Sequence, residues 1–182
     1  DDAALGLSRT AKNDGQGEHF VKERAIEQAW IHLKAGRIPE AAEALPAVAL
    51  ARDTPDYYAK WAEVACGLVA AEAQPLEAEL LRELLGMARG LRASGAVWLA
   101  FRVAQRTAQA LLAAGWLPAA GALIEELGEI ATERVKPAQS LAAVQALRAE
   151  WRALVDAQPD FDLADRAATL ARFEAEGGSF SE

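Results

Sequence analysis

From Glu18 onward, apolar residues recur at helical spacing, interrupted by glycine and proline. Phe20, Ile26, Trp30 and Leu33 fall close to one face of a first helix that Gly36 should stop. Pro39 suits the first turn of a second helix, where its missing N–H costs nothing, and Pro46 should kink or break that helix. Thr54-Pro55 reads as an N-cap followed by a first-turn proline. It opens a helix to about Ala73 with Tyr57, Trp61, Val64, Ala65 and Leu68 in one stripe. After Pro75, Leu76, Leu80, Leu81, Leu84, Leu85, Met87 and Leu91 cover so much of the cylinder that this helix is expected to be the central one. Ser94 is expected to cap a helix carrying Val97, Phe101, Ala104, Ala108 and Leu111, which ends at Gly115. Pro118 opens another, with Ala120, Leu123, Ile124, Leu127 and Ile130 inward. Pro137 precedes a helix with Leu141, Val144, Leu147, Trp151 and Leu154, and Pro159 a last one using Leu163, Ala167 and Leu170. The pattern predicts an all-α chain of about eight helices in four hairpins over 18–176, with a flexible arm at 1–17 and a flexible tail at 177–182.

The punctuation is itself periodic. Pro39, Pro75, Pro118 and Pro159 stand 36, 43 and 41 residues apart. The run Leu33-Lys34-Ala35-Gly36-Arg37-Ile38-Pro39-Glu40-Ala41 aligns with Leu112-Ala113-Ala114-Gly115-Trp116-Leu117-Pro118-Ala119-Ala120, with leucine, alanine, glycine, proline and alanine in register. A period near 40 residues is what stacked helical hairpins show.

A glycine at the hairpin turn, a small residue seven positions before it and another five positions after it resemble the tetratricopeptide-like superfamily. Small residues there allow the two helices to cross closely. Ala29, Gly36 and Ala41 occupy those places in the first unit, and Ala108, Gly115 and Ala120 in the third. The second unit departs from the pattern, with Glu72 in the glycine place and Glu77 in that of the small residue. Its hairpin logic also fits a HEAT-like array or an unrelated helical bundle. The resemblance implies a concave face built from the first helix of each hairpin. Glu23, Ile26, Trp30 and Lys34 would face it from one unit, and Arg102, Gln105, Gln109 and Ala113 from another.

Composition narrows the function classes. The 44 alanines, against 19 valines, isoleucines and threonines together, favour helix over strand. A formal net charge of −8 lacks the basic footprint of a nucleic-acid binder and disfavours anionic lipid surfaces. Six acids and two arginines between 158 and 182 account for half of that excess. Arg102 and Arg106 interrupt the apolar stretch from Gly95 to Ile124, so no membrane span is expected. The start Asp1-Asp2-Ala3-Ala4 fits a mature end left after signal-peptide removal or a trimmed terminus, so both cytoplasm and periplasm stay open. The alanine content hints at a high-GC bacterial coding sequence.

Candidate chemistry is sparse. His19 and His32 form no paired-ligand spacing, and His19 with Glu23 reads as a polar pair rather than a metal site. Cys66 lies in an apolar run and is expected to be a buried structural thiol. No nucleophile elbow or phosphate loop is present, so neither enzyme activity, cofactor nor metal is expected. Trp61 and Trp151 fit core stripes, whereas Trp116, in a turn between helices, lies where aromatics serve interfaces, and Trp98, one position off its helix's stripe, fits either an interface or a second packing layer between hairpins. The expected partner-binding residues are Glu23, Trp30, Lys34, Arg102, Gln105, Gln109 and Trp116. Three readings stay open: an interaction or scaffold module gripping a protein or peptide segment in a helical groove, an acidic accessory, inhibitor or immunity subunit for a basic protein, and a helical enzyme whose site is assembled from several helices. A homo-oligomer is compatible with each.

Overall fold

The computed structural model describes residues 20–46, 55–133 and 137–158. Seven helices and no strand occur among them: α1 over 20–34, α2 Ile38–Ala44, α3 Pro55–Ala70, α4 Ala78–Ala93, α5 Val97–Ala113, α6 Leu117–Glu133 and α7 Pro137–Asp156. The expected arm, tail and helix after Pro159 lie outside the described residues, as do His19 and Thr54.

Proline and glycine set the boundaries. Pro39 and Pro118 stand in the first turns of α2 and α6, Pro55 and Pro137 begin α3 and α7, and α2 ends just before Pro46. Pro75 instead precedes α4 by three residues, with Glu77 as the N-cap. Four helices close in the same way. Gly36, Glu72, Gly95 and Gly115 have φ of 71°, 56°, 85° and 75°. Each donates its N–H to the carbonyl three residues back, and the next residue reaches five back, as in Arg37 to His32 (2.9 Å) and Trp116 to Leu111 (2.9 Å). This paired-bond stop needs a left-handed residue, which glycine adopts without a Cβ penalty. Ser94 belongs to such a stop: it ends α4, its Oγ donating to the Leu91 carbonyl at 2.9 Å, while Ala96 precedes α5 without a side-chain cap.

The central helix is α5, not the leucine-rich α4. It packs against α3, α4, α6 and α7, whereas α4 leans on α5 and touches α3 lightly. Arg82, Glu83, Gly86 and Gly90 give α4 a solvent face. Alanines 100, 104, 108 and 110 keep α5 thin enough for neighbours on several sides, and Phe101, Val103, Leu111 and Leu112 fill the gaps between them. Burying each such large side chain stabilises by about 1.5–3 kcal/mol.

Other crossings use small residues too. Ala29 of α1, Ala41 of α2 and Val64 and Leu68 of α3 share a cluster, all buried. A Cβ on Gly67 would stand 2.7 Å from Leu33, so the bare backbone of α3 admits α1. Gly121 lets the Trp151 ring of α7 lie on α6, where the indole N–H donates to the Leu117 carbonyl at 2.7 Å. Gly36 has open space around its Cβ position, so its role is the turn and not a close crossing. Phe20 and Leu141, expected inward, are exposed.

Candidate functional site

On α3 the apolar run from Trp61 to Val69 contains one acid, Glu63, and it is buried. The stripe that seats α3 between α1 and α5 carries this carboxylate into the seam. An ionised group there is tolerable only if paired and hydrogen-bonded. Both neighbours supply partners. From α1, the Trp30 indole donates to Oε2 at 3.2 Å and the Lys34 ammonium bonds Oε1. From α5, Arg102 Nη2 donates to Oε2 at 3.0 Å and Arg106 Nη2 to Oε1 at 3.4 Å.

Helical spacing explains the convergence. Trp30 and Lys34 are one turn apart on α1, Arg102 and Arg106 one turn apart on α5, and Gln109 follows to accept from Arg106 Nη1 at 2.9 Å. The Trp30 ring is flanked by Lys34 and Lys60 ammonium groups, each 5.4 Å from its centroid, and Lys60 also bonds Glu27.

Burial pushes the Glu63 carboxyl up, but the bonds from Lys34 and Trp30 and the charges of Lys34 and Arg106 outweigh it, and its pKa lies below the ordinary 4.5. The carboxylate is therefore ionised at neutral pH. Its side chain is only 6% exposed, while those of Lys34, Arg102 and Arg106 are 48%, 41% and 43% exposed. The negative charge is covered and the positive charges face water.

Beside them opens a groove of about 300 Å³ lined by Leu33, Lys34, Glu63, Cys66, Gly67, Ala70, Arg106 and Gln109. Cys66 is 3% exposed, and burial pushes its thiol up to about 12. It stays protonated and makes part of the wall, as its apolar setting implies. The site is suited to hold an anionic group at the cations and a small apolar one on the wall.

Of the residues expected to bind a partner, Trp30, Lys34, Arg102 and Gln109 meet in this network. Glu23 and Gln105 are half-buried on α1 and α5. Trp116 sits elsewhere, half-buried against the main core in the turn between α5 and α6. Trp98 is 43% exposed, one turn before Arg102, its ring stacked on Phe101 at 5.9 Å. Sequence reading missed Glu63 and Arg106. The available signal was an acid inside an apolar stripe, which requires a cation from another helix. No helix among the described residues is long and apolar enough to cross a membrane. No protein-family model, curated protein or solved structure matches this chain.

Proposed function

We propose that the chain is a non-enzymatic protein-interaction module, built as stacked helical hairpins of tetratricopeptide-like kind, that holds a partner segment on the face shared by α1, α3 and α5. Four identical helix stops and the contact of α3 with both α1 and α5 support the stacking. So does the complete burial of Ala29, Ala41, Ala108 and Ala120. The observation that carries the binding role is the convergence of Trp30, Lys34, Arg102, Arg106 and Gln109 beside an open groove. Polar groups focused on a concavity with an apolar wall are the usual form of a recognition site.

A photo-crosslinking side chain placed at Ala70, on the groove rim, tests this against one at Gln145, exposed on α7. In extracts of the cells that express the protein, Ala70 should capture one partner protein and Gln145 none. Capture from Gln145 alone, or from neither, contradicts the assignment.

A further inference from the structure

The seam between α1, α3 and α5 holds more positive charge than its own stability requires. Glu63 needs one counter-charge, yet three cations surround it, an excess of two in a chain whose formal charge is −8. Arg102 and Arg106 are a like-charge pair one turn apart, an arrangement that costs helix stability unless an anion offsets it. Glu63 offsets part of that repulsion from below. The outer sides of the three cations stay open to solvent.

We propose that the partner segment on this face is acidic, its Asp or Glu carboxylates joining Lys34, Arg102 and Arg106 above Glu63, with a neighbouring aliphatic residue on the wall formed by Leu33, Gly67 and Ala70. Charge complementarity selects it: three cations converge here on one carboxylate in a chain whose total charge is −8, so they form a local attractor for an acidic segment. Glu63 acts as an internal counter-ion with two effects. It holds the guanidinium groups in place before the partner arrives, which reduces the ordering cost of binding. It also subtracts one charge from the attraction, so affinity is held below what the cations alone would give. This inference rests on the binding face proposed above.

Selection from a random dodecapeptide display library, against the whole chain, tests it. Wild-type protein should enrich Asp and Glu over the starting library. The double variant Arg102→Gln/Arg106→Gln, which leaves Glu63 bonded to Lys34 and Trp30, should lose that enrichment while keeping its helicity. A selected peptide should bind the double variant about tenfold or more weakly, the loss of two charge contacts. Neutral or basic selected pools overturn the proposal. So does a dimer of the purified chain that Arg102→Gln dissolves, which would make a second copy the occupant. If Ala70 crosslinks a partner through a neutral or basic segment, the acidic-partner inference fails and the binding face stands. If Ala70 captures nothing, both fail.

Discussion

Glu72 occupies the left-handed place that glycine fills at the ends of α1, α4 and α5, and its φ of 56° carries the Cβ penalty that glycine avoids. The position was legible in the sequence as a departure from the hairpin pattern, although the backbone shows that the turn itself is kept. Glu72→Gly should therefore stabilise the protein by up to about 1 kcal/mol, part of the relief being offset by the freer unfolded chain. Chemical denaturation measures it, and a lower midpoint would contradict the strain. Glu63 links stability to pH. Its folded pKa lies below the ordinary 4.5, so its stabilising contribution is present above that pH and lost as pH falls through the folded value. Glu63→Gln should melt below wild type at neutral pH, and the gap should narrow as pH drops below 4.5. A gap constant down to strongly acidic pH would show that the carboxylate charge contributes nothing. The acid itself was visible in the sequence. Its four partners were not, because they come from helices 29 to 43 residues away.

At the scale of elements, prolines and glycines made the helix ends readable, since they act through local backbone geometry. Which helix lies at the centre is not legible from leucine content, which reports burial on one face, while four small alanines decide how many neighbours α5 can hold. Crossings that depend on the absence of a side chain were equally hidden. Gly121 shows this: a Cβ there would lie 3.0 Å from the Trp151 ring, a rigid group bonded to Leu117. Gly121→Val should destabilise by about 1–3 kcal/mol through overpacking. Gly86→Ala should instead stabilise by about 0.5–1 kcal/mol, since that α4 position is exposed and has nothing within 4 Å. Denaturation midpoints for the two variants should move in opposite directions. A Gly121→Val midpoint at or above that of wild type would contradict the α6–α7 crossing.

Across the whole molecule, the acidic balance visible in composition conceals a local reversal of sign. Lys34, Arg102 and Arg106 face water over a buried carboxylate, next to a groove between helices distant in sequence. Total charge could not reveal this, because the reversal depends on which residues the fold brings together. The spacing of Arg102 and Gln109, and of Trp30 and Lys34, places each pair on one side of its helix. It could not say that α3 lies between them. Chemical-shift mapping of the isotope-labelled chain, titrated with an acidic peptide recovered by selection, shows whether the seam between α1, α3 and α5 holds the peptide. Shifts are expected at the Arg102 and Arg106 guanidinium groups, the Lys34 ammonium, the Trp30 indole N–H and the backbone of Gly67 and Ala70, with α6 and α7 unmoved. Shifts centred on α6 and α7, or a saturable complex that leaves both arginines unperturbed, would contradict binding at this seam.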